Sequence, residues 1–123
     1  MADKSCKTPR WRLLKSQLNN LSQQAFKEKL TNSNCIIVDV RTEQEYTSAH
    51  IIGAINIDYF SETLIEELRE LDHSKEVLIY CRTGRRSIRV CTLMKNGGFD
   101  TEKIFNLEEG FSSWVNNYSE FTE

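Results

Sequence analysis

Apolar and polar positions follow two periods that alternate along the chain. Cys35-Ile36-Ile37-Val38-Asp39-Val40 is a near-continuous apolar run, the pattern of a strand covered on both faces. Residues 77–81 repeat it, and residues 53–57 and 103–107 read as shorter strands. Between these runs the period becomes helical. Ser22 is placed to cap a helix running to about Leu30, with Leu21, Ala25, Phe26 and Leu30 as its apolar face. Thr42 is placed to cap a short helix over residues 43–48, and residues 60–71 read as an acidic amphipathic helix. After Cys81, the residues Ile88, Val90, Cys91 and Met94 fall on one arc of roughly 160°, wide enough to lie on a sheet, with Arg89, Thr92 and Asn96 turned away. Gly97-Gly98 stops that helix, and residues 109–117 form a closing one. Strand and helix in alternation predict an α/β fold with a central parallel sheet and helices on both faces.

Composition narrows this to one domain. A chain of 123 residues with 39% hydrophobic and 28% charged residues buries roughly two thirds of its unfolded surface. One proline, five glycines and no low-complexity run leave no linker to cut at. Residues 1–16 read as a loosely attached N-terminal extension and residues 17–123 as the globular domain. A net charge of -2 supplies no general basic field, so no nucleic-acid partner is expected. No stretch approaches the roughly 20 apolar residues of a membrane span, and residues 1–14 lack the apolar run of a signal peptide. The expectation is a cytoplasmic protein with no membrane association. Cys6, Cys35, Cys81 and Cys91 show no CxxC spacing and no clustered histidines, which argues against a metal site and a disulfide framework. Cys35 and Cys91 sit on apolar faces as small core residues; Cys6 carries no signal.

Cys81 is different. It stands where an apolar strand runs into Arg82-Thr83-Gly84-Arg85-Arg86-Ser87 and then a helix, which sets a thiol at a helix N-terminus among three guanidinium groups. Both features favour a thiolate over a thiol, and the thiolate is the nucleophile. Consecutive N–H groups in such a turn make an anion-binding nest, and Gly84 can take the positive φ that lets the chain curl. In open sheets ligands bind beyond the carboxyl ends of the strands, where Asp39-Val40-Arg41 ends one strand and Cys81-Arg82 another. These groups are expected to converge on one mouth.

Four segments in this order resemble the rhodanese (sulfurtransferase) domain, over roughly residues 17–117. Val38-Asp39-Val40-Arg41 with Glu45-Tyr46 is similar to the family's first signature, and His50-Ile51-Ile52-Gly53-Ala54-Ile55-Asn56-Ile57 to its second. Cys81-Arg82-Thr83-Gly84-Arg85-Arg86-Ser87 is similar to its active-site loop, and Asn106-Leu107-Glu108-Glu109-Gly110 with Trp114 to its closing segment. The chain departs from the family pattern at Ala49 and Glu109, where glycine is usual or common, and at Ile52, where proline is usual.

The resemblance implies a double displacement in which Cys81 takes the outer sulfur of a small anionic donor such as thiosulfate and passes it from a persulfide to cyanide, a thiol or a protein cysteine. It implies no metal and no organic cofactor. Arg82, Thr83, Gly84, Arg85 and Arg86 are the expected donor-binding residues, with Arg82 and Arg86 foremost. Asp39, Arg41, His50 and Ser87 are expected behind them: Asp39 orienting the loop, Arg41 in an ion pair with Glu45, and His50 serving structure near the mouth. Two rivals stand beside this reading. One is a persulfide carrier or interaction module that docks a protein partner, with the acidic helix as a possible face. The other is a Cdc25-type phosphatase or arsenate reductase, whose signature needs five residues between cysteine and arginine, where this chain has Ser87 and carries Arg86 one position short.

Overall fold

A computed structural model, describing residues 9–32 and 34–123, arranges the chain around a five-stranded sheet. In chain order the elements are α1 (Arg10–Ser16), β1 (Asn19–Leu21), α2 (Gln23–Asn32), β2 (Cys35–Asp39), α3 (Glu43–Ser48), β3 (Ile55–Asn56), α4 (Leu64–Arg69), β4 (Glu76–Tyr80), α5 (Arg85–Asn96), β5 (Ile104–Leu107) and α6 (Gly110–Asn117). The strands lie in the order β1-β5-β4-β2-β3 and every pairing is parallel. The α/β reading with helices on both faces therefore holds.

The strand period of two decides which face each residue serves. Val38, Val40, Val77, Ile79 and Cys81 point to one side and pack with Leu64 and Leu68 of α4 and with Val90, Cys91 and Met94 of α5. Ile37, Leu78, Tyr80 and Leu107 point to the other, against Phe26 of α2 and Phe111 and Trp114 of α6. Both faces are buried, which is why the strands read as unbroken apolar runs.

Local chemistry starts the helices where the sequence places them. The Ala25 amide donates to the Ser22 hydroxyl at 3.2 Å, and α3 opens on a full capping box between Thr42 and Glu45. The acidic helix is shorter than residues 60–71 because Ser61 and Thr63 spend their hydroxyls on Glu67, tying the preceding segment into turns. Two elements differ from expectation. Residues 10–16 form α1, which lies against α5, and β1 adds an edge strand beside β5. Neither announces itself in sequence, because α1 buries no residue and β1 is three residues with two asparagines. Cys6 lies outside the described residues.

The chain end also folds back. His50 and Glu123 exchange both backbone hydrogen bonds at 2.9 Å, and the Ile52 amide donates to the Phe121 carbonyl at 2.8 Å. Proline at position 52 would have no N–H to give. The departure from the family pattern is thus matched by a C-terminal segment that uses the extra donor.

Phe26 is fully buried, edge-on to Trp114 at 5.6 Å between ring centroids. Phe26→Ala is expected to lower the unfolding free energy by about 3–5 kcal/mol. Leu13→Ala, at a side chain 52% exposed, should stay within about 0.5 kcal/mol. Urea denaturation followed by circular dichroism measures both.

Candidate active site

Cys81 follows β4 directly and is 1% exposed. Its Sγ accepts the Gly84 amide at 3.1 Å and the Ser87 amide at 3.4 Å, and the Ser87 hydroxyl lies 3.5 Å away. Two N–H groups and a hydroxyl therefore converge on one sulfur at the first turn of α5, where the helix dipole adds positive potential. An anion on that sulfur, or on a second sulfur bound to it, meets donors fixed in advance.

The loop holds this shape because its outward-facing carbonyls are occupied. The Phe111 amide donates to the Cys81 carbonyl at 2.8 Å and the Ser112 amide to the Arg82 carbonyl at 3.0 Å. These are donors of the first turn of α6, which need partners outside their own helix. The close approach demands glycine twice. Gly110 has φ +79°, and a Cβ there would lie 2.5 Å from the Arg82 carbonyl oxygen; Gly84 has φ +95°, and its Cβ would meet the Glu108 carbonyl oxygen at 2.5 Å. Glu109 has φ -94° and pays no strain for replacing the glycine common there.

Among the arginines, Arg82 and Arg85 are exposed and Arg86 is half-buried. The Arg85 guanidinium lies over the Trp11 ring at 4.1 Å to its centroid. Arg86 sits 5.3 Å over the Phe60 ring and reaches the Glu45 carboxylate at 3.4 Å. Glu45 is held below the usual carboxylate range: burial pushes it up, but the Thr42 donations and the charges of Arg86 and Arg41 outweigh that. Thr83 is exposed at the loop tip.

The expected Arg41–Glu45 ion pair is replaced by another. Arg41 binds Asp39 through Nε and Nη2, at 3.0 Å and 2.7 Å, while Glu45 turns to Arg86. Asp39 is fully buried and also accepts the Tyr80 hydroxyl at 2.7 Å and the Arg41 amide at 2.9 Å. Among the described residues its carboxylate makes no hydrogen bond to the cysteine loop. The reason is register: Asp39 pairs with Tyr80, so the two share the face opposite Cys81. Burial and the Asp39 charge push the Tyr80 hydroxyl well above its ordinary range, which keeps it a donor. The link to the loop is indirect, because Arg41 lies 4.3 Å over the ring of Phe111, whose amide holds the Cys81 carbonyl.

His50 stacks on Tyr46 at 3.8 Å, bonds the Tyr46 carbonyl at 2.8 Å and faces Glu123 at 3.4 Å. None of these partners belongs to the cysteine loop. Cys91 is 1% exposed, and burial, then the neighbouring Cys81, push its thiol up to about 12. Burial also raises Cys35. Among the described residues no group of three or more histidine, cysteine, aspartate or glutamate side chains could hold a metal ion, and no helix is long and apolar enough to cross a membrane. Sequence reasoning missed Tyr80, which read as one more apolar strand residue, and Trp11, which lay in a segment taken as an extension.

Comparison with known proteins agrees with this geometry. A family model described as Rhodanese-like domain matches residues 22–117. YrkF of Bacillus subtilis, whose name proposes a sulfur carrier, is 34% identical over 101 residues, covering 81% of this chain and 52% of YrkF. The chain thus spans about half the length of that relative. YtwF of the same organism, a proposed sulfurtransferase, is 31% identical over 80% of this chain and 91% of its own. The crystal structure of a rhodanese-like domain protein from Staphylococcus aureus superposes with a TM-score of 0.68 at 28% identity, over 79% of this chain and 91% of that one.

Two substitutions separate the supports. Gly110→Ala should cost more than the roughly 1–3 kcal/mol of strain at positive φ alone, because its Cβ would also overlap the Arg82 backbone. Asp39→Ala should cost about 3–5 kcal/mol by leaving the buried Arg41 guanidinium unpaired. Equilibrium unfolding reads both.

Proposed function

This chain belongs to the rhodanese-like domain family, and on that footing we propose that it moves a sulfane sulfur from a thiosulfate-like donor to a thiophilic acceptor through a persulfide on Cys81. Its relatives support sulfur transfer as the general chemistry. The observation that carries the finer reading is the convergence of the Gly84 and Ser87 amides on Cys81 Sγ.

In the first half-reaction the Cys81 thiolate attacks the outer sulfur of thiosulfate. The bond between that sulfur and the sulfonate breaks, and sulfite leaves with the electron pair. Arg82, Arg85 and Arg86 draw in the dianion, and their planar donors suit its oxygens. The persulfide anion then sits in the nest, where oriented N–H dipoles stabilise charge without reorganising. In the second half-reaction an acceptor attacks the outer sulfur and the pair of the broken S–S bond returns to Cys81. Ser87, through its amide and hydroxyl, is a positioning residue for the sulfur. Asp39 and Arg41 support the loop from the opposite sheet face. His50 is a structural residue that ties the segment after α3 to Glu123.

The loop length favours sulfur over phosphate. A nest with arginine one residue further on would hold a larger tetrahedral group; here that position is Ser87, whose amide already reaches the nucleophile.

After incubation with thiosulfate, intact mass spectrometry should show one added sulfur on the wild type and on Cys91→Ser, and none on Cys81→Ser. Sulfur retained by Cys81→Ser would move the nucleophile elsewhere. Steady-state turnover should be faster with thiosulfate than with 3-mercaptopyruvate, whose single carboxylate meets the three arginines less well; the reverse order would refute the donor assignment.

A further inference from the structure

The cysteine loop shares two arginines with a groove that transfer from thiosulfate leaves idle. Between α1 and the start of α5 opens a cavity of about 400 Å³, lined by Arg10, Trp11, Tyr59, Arg85, Arg86 and Arg89 among others. Thiosulfate is far smaller. The groove is held in place from the far end of α1: Lys15 meets Glu108 at 2.8 Å, and Lys95 bonds Gln17 at 3.2 Å. Arg85 is stacked on Trp11, and Arg86 is steadied by Glu45 and Phe60. Among the described residues, no carboxylate comes within ion-pair distance of Arg10, Arg85 or Arg89. Four guanidinium groups thus line one concavity of a chain whose net charge is -2.

We propose that this groove seats a polyanionic organic thiol of low molecular weight, which is the acceptor that discharges the Cys81 persulfide; the proposal rests on the sulfur-transfer reading above. Charge complementarity selects the occupant. Guanidinium groups pair bidentately with phosphate and carboxylate, and the Trp11 and Tyr59 rings offer flat apolar surface to the rest of the molecule. The cavity falls in the range of small-molecule sites, whereas a docked protein needs on the order of 1,000 Å² of interface. Arg85 and Arg86 belong to both the groove and the cysteine loop, so anionic groups bound there sit beside the turn that follows Cys81. The step balances: the thiol R–SH gives up its proton, its sulfur attacks the outer sulfur of the Cys81 persulfide anion, and an R–S–S bond forms as the Cys81 S–S bond breaks. The proton ends on the terminal sulfur of R–S–SH, and the electron pair returns to Cys81.

The test loads the full chain with sulfur from thiosulfate, removes the donor, and follows discharge by coenzyme A, glutathione and 2-mercaptoethanol. Coenzyme A is expected to show the lowest half-saturating concentration. Arg10→Glu and Arg89→Glu should each raise it about ten-fold or more relative to that of 2-mercaptoethanol, as for loss of a charge-assisted contact. Equal half-saturation by all three thiols, or ratios unmoved by both variants, would overturn the proposal, as would selective discharge by an acidic cysteine peptide alone. A second readout separates this from the transfer reading. In Cys81→Ser, which forms no persulfide, coenzyme A should quench tryptophan fluorescence, and Trp11→Phe in that background should abolish the quench. Quenching without persulfide formation in the wild type would sink the transfer reading alone; persulfide formation without quenching would sink the groove.

Discussion

The hydrogen bonds from the start of α6 to the cysteine loop are the constraint on which the rest of this molecule depends. A tight turn between a strand and a helix has both carbonyls and amides to dispose of, and only one set can face inward. The Phe111 and Ser112 amides take the carbonyls of Cys81 and Arg82. The amides of Gly84 and Ser87 are then left to face the sulfur. Each of these bonds is worth only about 1 kcal/mol net, so their value lies in direction more than in stability. Leaving a loop carbonyl inside the nest would turn a donor cradle into a repulsive one for any anion.

Holding two segments that close has steric consequences on both sides. Gly84 faces the Glu108 carbonyl and Gly110 faces the Arg82 carbonyl, each with room for a hydrogen but not a methyl group. The two glycines are thus halves of one contact, although they stand 26 positions apart in the chain. On the reverse face of the sheet, the Asp39–Arg41 pair fixes the end of β2 and lays a guanidinium plane on Phe111. A buried ion pair of this kind adds little net stability, because desolvation offsets its attraction. What it adds is a fixed position for the ring whose backbone amide holds the Cys81 carbonyl.

Much of this was legible in the chain. Strand runs, Ser22 and Thr42 caps and the buried arc of α5 all follow from local chemistry, and so does the candidate loop, because thiol, glycine and arginines occur together over seven consecutive positions. The partner of Arg41 was not legible. Asp39 and Cys81 both lie at strand ends, yet the pleat sends them to opposite faces, and that depends on a register between β2 and β4 which neither strand specifies alone. α1 escaped for a different reason: it packs without burying a residue, so it leaves no apolar period to read.

The same geometry separates the two sulfur atoms near the site. Cys91 shares the face of Cys81 and lies close enough for its thiol to respond to Cys81, but it is inside α5, where no loop amide turns toward it. Burial, then the neighbouring Cys81, outweigh its own backbone hydrogen bond and push its thiol up to about 12, so it stays protonated at neutral pH. Cys81 is as deeply covered, yet its cover is polar. Burial therefore does not distinguish the two cysteines; the direction of the loop amides does. A fold that offers one helix N-terminus to one strand end, and pins the connecting loop from outside, turns loop amides onto only one of two equally hidden thiols.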